Sequence, residues 1–320
     1  MNDPTAAVDV NTTTTKKPTI RSPFRTDCLR GKVALITGGG SGICFEITHQ
    51  LLQHGLSGAV ICGRRKEFLE RSSRLLSRAN EGKPCYYQVC DVRDPQLCQK
   101  AVHFTLQKFG RLDILVNGAA GNYLAEARAL SPKGFATVMA IDAQGTFNMS
   151  RAAYQALADT AVDTNAATTN TTTVIINISA TLQYGATWWQ AHASAAKSAV
   201  DSLTRSLALE WGSDKIRVVG IAPGATNDTP GTTKLAPGVS AREVEELISE
   251  GIPLGRMGEK TEIGLAAVFL CVAEYITGDV LVVDGGEWLY RPPMVPKDMV
   301  SDLSRKVEGK SRAQAPKAML

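Results

Sequence analysis

Residues 33–44 read V-A-L-I-T-G-G-G-S-G-I-C, a short apolar run joined directly to a glycine-rich turn. The run Val33 to Thr37 has the length and composition of a buried strand, and an amphipathic pattern begins near Ile43. The glycines therefore fall where a strand hands over to a helix N-terminus. Glycines there let the backbone turn sharply and approach a ligand closely, while the unpaired N–H groups of the helix end attract negative charge. Gly38, Gly40, Ser41, Gly42 and Ile43 are the candidate cradle for a pyrophosphate. Taken alone, such a loop is also an ordinary strand-to-helix turn, so its meaning depends on what surrounds it.

The next unit supplies that context. Ile43 to His54 reads as a helix and Ala59 to Gly63 as a second buried strand, ending in Gly63-Arg64-Arg65-Lys66. An acidic residue at this distance from the glycines would bond a ribose 2′-hydroxyl, whereas arginine accommodates the 2′-phosphate of NADP. Arg64 and Arg65 thus point to NADPH, with a solvated basic helix start as the alternative.

Further along, a helix from Glu67 to Ala79 leads to a strand from Cys85 to Cys90, and Asp91-Val92-Arg93-Asp94-Pro95 opens a helix to about Phe109. Strand Leu112 to Asn117 ends in Asn117-Gly118-Ala119-Ala120-Gly121. A helix from Pro132 to Ala158, strand Val174 to Ser179, a loop with Trp188-Trp189, helix His192 to Trp211 and strand Ile216 to Ala222 follow; the last ends at Pro223-Gly224. Helix Thr261 to Val272 and strand Val280 to Val283 complete the pattern. Repeated strand–helix units predict a single α/β domain, a Rossmann-type doubly wound parallel sheet of about seven strands, with ligands outside the carboxyl ends of those strands.

Three segments stand apart from this alternation. Residues 1–30 are rich in Thr, Asn, Asp and Lys and predict a mobile tail, and 291–320 read as a polar tail. Residues 159–173, largely Ala, Thr, Asn and Asp, read as an insertion in a surface loop. Residues 225–255 carry many Thr, Pro and Gly and read as a substrate flap with a short helix near 241–249.

Composition excludes several classes. A net charge of +4 without a long basic run does not call for nucleic acid. Seven cysteines without a C-x-x-C pair suggest neither a disulfide framework nor a metal site. No apolar run approaches the roughly 18 residues that span a bilayer, and the N-terminus lacks an apolar signal core. The expectation is a protein of a reducing interior, neither secreted nor membrane-spanning.

With the glycine loop, Asp91, Asn117-Gly118-Ala119-Ala120-Gly121, Lys197, Pro223-Gly224 and Asp284-Gly285-Gly286 in order, residues 31–290 resemble the short-chain dehydrogenase/reductases. Within them the chain most resembles the peroxisomal 2,4-dienoyl-CoA reductases, at Gly121-Asn122-Tyr123, at Ile141 to Asn148 and around His192 to Lys197. The resemblance implies NADPH, a fatty acyl-CoA substrate and a homotetramer. It places Asp91, Asn117, Ala119, Lys197, Pro223 and Gly224 on the cofactor. Arg93, Tyr123, Ser131, Lys133 and Lys234 match the substrate side, where the basic side chains would hold CoA phosphates.

The departures from the wider pattern are informative. Most short-chain dehydrogenase/reductases carry a tyrosine four residues before the lysine and a serine thirteen before that; here these positions are Ala193 and Ala180. A carbonyl reductase needs an acidic hydroxyl to protonate the carbonyl oxygen as hydride arrives. In the dienoyl-CoA reductases hydride goes to a conjugated carbon instead, and the resemblance assigns Asp142 and Lys197 the task of orienting a water that protonates the α-carbon. Cys44 replaces the last glycine of the loop, the one that permits close helix–strand packing. His192 is read as a residue that packs or bonds locally, and Trp188 and Trp189 as either acyl-channel or core and subunit contacts. Another enoyl-CoA or 3-oxoacyl-CoA reductase, or a non-catalytic NADPH-binding protein, are the competing readings. The terminal Ala318-Met319-Leu320 resembles a small–basic–Leu peroxisomal address with Met319 at the basic position. It points to a peroxisome or a related glycosome-like organelle; without it the expected location is cytoplasmic.

Overall fold

Seven short apolar runs become the strands of one parallel sheet: β1 (Val33–Thr37), β2 (Gly58–Gly63), β3 (Cys85–Val89), β4 (Ile114–Asn117), β5 (Thr173–Ile178), β6 (Ile216–Pro223) and β7 (Val280–Val283). Their spatial order is β3-β2-β1-β4-β5-β6-β7. The structure is a computed structural model, and it describes residues 20–162, 172–229, 243, 248–295 and 299–314. β1, β4 and β6 are buried along their whole length, which is why they read as continuous rather than alternating apolar runs.

Helices cover both faces: α1 (Gly42–Gln53), α2 (Lys66–Ala79), α3 (Pro95–Phe109), α4 (Pro132–Met139), α5 (Gly145–Val162), α6 (Ala191–Trp211) and α7 (Lys260–Val272). Successive strand residues point to opposite faces, so Leu35, Leu115 and Val218 pack with Val102, Met149 and Leu207 of α3, α5 and α6. Ile36, Val116 and Val219 pack with Ile47, Leu51, Ile263 and Val268 of α1 and α7 on the other face. Each such large aliphatic side chain contributes about 1.5–3 kcal/mol on burial, and these two layers hold the sheet. Arg217 on β6, almost fully buried, donates to the carbonyls of Leu270 and Cys271 at the C-terminal end of α7 at 2.9 and 3.2 Å. A cation is favoured at that pole of a helix.

Register brings the turns to one level. Thr37 pairs with Cys62 of β2 and Asn117 of β4, and Asn117 pairs with Asn177 of β5. From β1 the chain builds outward to β3, then returns to place β4 on the other side of β1. The crevice opens at that reversal, outside the strands' carboxyl ends.

Several expectations are corrected. The N-terminal tail does not extend to residue 30: Leu29 is fully buried with its N–H on the His54 carbonyl at 2.9 Å, and the Phe24 ring meets the His54 ring edge-on. The helix expected from Pro132 to Ala158 is interrupted by a π turn at Ala140–Gln144 and runs on to Val162. The low-complexity insertion accordingly narrows, because β5 begins at Thr173; residues 163–171 lie outside the described residues, as do Lys234 and most of the expected flap helix. The polar C-terminal tail contains a further helix, α8 (Val300–Gln314). Among the described residues no helix is long and apolar enough to cross a membrane.

Candidate active site

The crevice has a volume of about 1020 Å³, at the top of the roughly 300–1,000 Å³ range of small-ligand sites. Its first wall is the glycine loop, with Gly38, Gly40, Ser41, Gly42 and Ile43 all lining it. Gly38 has φ +70°, and a Cβ there would stand 2.6 Å from the Gly118 carbonyl oxygen, so neither conformation nor space admits a side chain. Ser41 precedes α1 in extended conformation, its side chain makes no capping bond, and the first turn of α1 carries no acid. The helix end thus keeps its positive character for an anion. These residues fit the pyrophosphate of a dinucleotide.

Two turns are locked together behind the loop. The Thr37 hydroxyl accepts hydrogen bonds from the N–H groups of Gly118 and Ala119 at 3.0 and 3.1 Å, a role that sequence reading missed. Cys44 fits because of Gly118: a Cβ on Gly118 would lie 2.0 Å from the Cys44 sulfur, so the thiol takes the space that glycine leaves. Burial pushes the Cys44 thiol up to about 12, with Lys197 opposing weakly, which makes it a packing group rather than a redox sensor. Gly118→Ala is expected to destabilise the fold by about 1–3 kcal/mol through overpacking, and Cys44→Gly in the same chain to restore most of that. Thermal melts of the two variants check this; equal loss in both would show that the Thr37 carbonyl, not the thiol, sets the limit.

At the end of β2, Arg64 and Arg65 both line the crevice and are exposed, and the Arg65 guanidinium lies 4.5 Å over the Phe68 ring. Asp91 lines the same region, and Arg93 clasps it with Nη2 at 2.5 Å. This hydrogen bond holds the Asp91 carboxyl below its ordinary range. The Arg93 side chain, 42% exposed, is thereby held beside Asp91. The Asn117 amide points into the core, donating to Ser150 and Asn177 at 2.9 Å each, and the backbone directly after it lines the crevice. Pro223 and Gly224 close the far wall; a Cβ on Gly224 would meet the Asp284 Cβ at 2.5 Å. Glu287, unforeseen from sequence, also lines this wall, accepts from the Ala225 N–H at 3.0 Å, and has its carboxyl pushed up by burial.

Asp142 and Lys197 meet at the centre. Lys197 Nζ lies 3.1 Å from Asp142 Oδ2 and donates to the Ile178 carbonyl at 2.9 Å; both residues are buried and line the crevice. Asp142 Oδ1 accepts from the Gly121 N–H at 2.7 Å. The carboxylate sits in the π turn, a local widening that often occurs at functional sites and that helical periodicity gave no sign of. Ala180 and Ala193 line the crevice beside this pair. The adjacent Ser179 hydroxyl does not replace the missing groups, because it is 2.5 Å from Asp201 Oδ1, with Gln183 bonding the other Asp201 oxygen at 2.6 Å.

Of the other substrate-side residues, Tyr123, Ser131 and Lys133 lie outside the crevice lining. Ser131 caps α4 by accepting from the Gly134 N–H at 3.0 Å, Lys133 is exposed in the first turn, and the Tyr123 ring packs 4.5 Å from His192. His192 is fully buried beside the Tyr123 backbone, as expected of a residue that packs or bonds locally, and burial pushes its pKa down. Trp188 and Trp189 are neither core nor crevice lining: both are exposed, next to the lining residues Thr187 and Gln190.

A sheet reversing its strand order at a glycine-lined helix end defines the dinucleotide-binding α/β proteins, and this chain falls in that class. A family profile described as enoyl-(acyl carrier protein) reductase matches residues 38–287. A peroxisomal 2,4-dienoyl-CoA reductase [(3E)-enoyl-CoA-producing] of Arabidopsis thaliana is 50% identical over 92% of this chain and 96% of its own length. One from Pongo abelii is 43% identical over 86% and 90%. A solved 3-ketoacyl-(acyl-carrier-protein) reductase from Brucella melitensis, complexed with NADH, superposes with a TM-score of 0.72 at 30% identity, covering 81% of this chain and 99% of the other. The chain belongs to the short-chain dehydrogenase/reductase family.

Proposed function

We propose that this protein is an NADPH-dependent reductase that converts a 2,4-dienoyl-CoA to a 3-enoyl-CoA in the oxidation of unsaturated fatty acids. The observation that carries this reading is the buried Asp142–Lys197 pair, 3.1 Å apart, facing a crevice in which Ala193 and Ala180 stand where carbonyl reduction needs hydroxyls. The relatives named as 2,4-dienoyl-CoA reductases support it along most of the chain. A 3-oxoacyl-CoA reductase is disfavoured by the same two alanines, and a protein that only bound the cofactor would have no use for a buried ion pair at this position.

The glycine loop and the α1 N-terminus hold the pyrophosphate, Arg64 and Arg65 the 2′-phosphate, and Asp91, Ala119, Pro223 and Gly224 frame the rest. The reduced nicotinamide, when bound, supplies a hydride to the δ-carbon of the diene. Asp142 and Lys197 orient the water that delivers a proton to the α-carbon, so one hydride and one proton are added and the remaining double bond moves to the 3-position. Lys197 also bonds the nicotinamide ribose. Arg93, Tyr123, Ser131, Lys133 and Lys234 border the substrate, the basic side chains on the CoA phosphates.

Following absorbance of NADPH with a 2,4-dienoyl-CoA, a 2-enoyl-CoA and a 3-oxoacyl-CoA tests the reading. Turnover of the dienoyl thioester alone is expected, and preferential turnover of either other substrate overturns it. We further propose a homotetramer, to be checked by sedimentation, and a peroxisome-type location through Ala318-Met319-Leu320, which lie outside the described residues. Fusing the last twelve residues to a fluorescent reporter checks the address: punctate signal is expected, and diffuse signal refutes it.

A further inference from the structure

We infer that Gln190, held in place by Asn122, is the donor that binds the thioester oxygen and stabilises the negative charge formed there. This inference rests on the reading of the site as a dienoyl-CoA reductase. Hydride arriving at the δ-carbon of a conjugated thioester pushes an electron pair through the two double bonds onto the carbonyl oxygen, and the proton then added at the α-carbon takes that pair back. Between those events the oxygen carries the charge, so a fixed hydrogen-bond donor aimed at it speeds the reaction. Ala193 and Ala180 cannot provide one, and Lys197 is already committed to Asp142 and the Ile178 carbonyl.

Gln190 has the placement and the free group. It precedes α6 immediately, three residues before Ala193 and seven before Lys197, so the three share one face of the helix. Alanine at 193 leaves open the volume that a tyrosine would fill, one turn from Gln190. Gln190 lines the crevice although only 5% of its surface is accessible, and Asn122, also on the crevice wall, donates from Nδ2 to Gln190 Oε1 at 2.6 Å. Fixing the carbonyl end of this amide directs the NH₂ end away from Asn122, and among the described residues no group bonds that nitrogen.

The loop that carries this amide is tied down on both sides. Trp189, directly before it, holds φ +59°, a left-handed conformation that a bulky residue rarely adopts. The Trp189 carbonyl accepts from the Ala125 N–H at 2.9 Å, and the Gly121 N–H bonds Asp142 at 2.7 Å. Residues 121–125 are thus fastened to the carboxylate at one end and to the Gln190 loop at the other, with the Asn122–Gln190 bond between. A neutral, pre-oriented amide adds no charge beside the ion pair and needs no reorganisation as the oxygen becomes negative.

Three variants of the full-length protein test this. Gln190→Leu removes the polar group, Gln190→Glu keeps its size and its acceptor for Asn122 but presents no NH₂, and Asn122→Ala frees the amide to rotate. With a 2,4-dienoyl-CoA, kcat is expected to fall about 10²- to 10³-fold in both Gln190 variants and by less in Asn122→Ala, with NADPH affinity unchanged. The carbonyl stretch of the bound thioester, read by difference infrared spectroscopy, is expected at lower frequency in the parent than in Gln190→Leu; a purely structural role would not move it. An active Gln190→Glu variant, or an unshifted carbonyl band, overturns the inference while leaving the reductase reading intact. A parent protein that fails to turn over the dienoyl thioester overturns the reductase reading itself.

Discussion

Asp142→Ala is expected to lower kcat on a 2,4-dienoyl-CoA by about 10²- to 10⁴-fold with little change in NADPH affinity, the range over which a positioned proton-transfer group contributes. In the proposed mechanism the carboxylate acts on the protonation step, through a water it shares with Lys197. Truncation also strands a buried lysine, and breaking a buried pair from one side costs about 3–5 kcal/mol of stability. Asp142→Asn separates the two effects. The amide oxygen can keep the Gly121 N–H bond now made at 2.7 Å, while its NH₂ then meets Lys197 Nζ donor to donor, so this variant loses less stability than Asp142→Ala but not none, and kcat should still fall. Lys197→Ala should damage both turnover and cofactor binding. Steady-state kinetics, thermal melts and product analysis decide the matter; an Asp142→Asn enzyme with unchanged kcat, or a product retaining its double bond at the 2-position, refutes this assignment.

Arg64→Ala should weaken NADPH by about 10- to 100-fold and leave NADH nearly untouched. The magnitude is that of a charge-assisted hydrogen bond between an arginine and a phosphate, about 1.5–3 kcal/mol, lost without a substitute. Arg64 lines the crevice at the end of β2, and the Arg65 guanidinium beside it lies over the Phe68 ring. No carboxylate follows β2 directly to take a ribose 2′-hydroxyl instead; the sequence there is Gly63-Arg64-Arg65-Lys66. Fluorescence titration of both cofactors measures the preference, and equal affinities in the parent protein would remove the basis for NADPH.

What the amino-acid sequence determined by itself was the framework and the cast of residues. Buried parallel strands need continuous apolar runs, amphipathic helices need a 3.6-residue period, and a strand that turns into a helix around a ligand needs glycine; each is a requirement among near neighbours, visible in 33–44 and repeated down the chain. The absence of a tyrosine and a serine at 193 and 180 was equally legible and narrowed the chemistry before any geometry was known. Direction and partnership were settled only by the tertiary structure. Asn117 turns inward because Asn177 pairs with it across β4 and β5 and because Ser150 of α5 lies behind it. Cys44 is acceptable where a glycine is expected because Gly118, distant in sequence, has no Cβ. The π turn that carries Asp142 follows no local composition rule, and the Asn122–Gln190 bond joins two loops separated by 68 positions. Such contacts depend on the register of strands and the packing of helices far apart in the chain, so local periodicity carries no record of them.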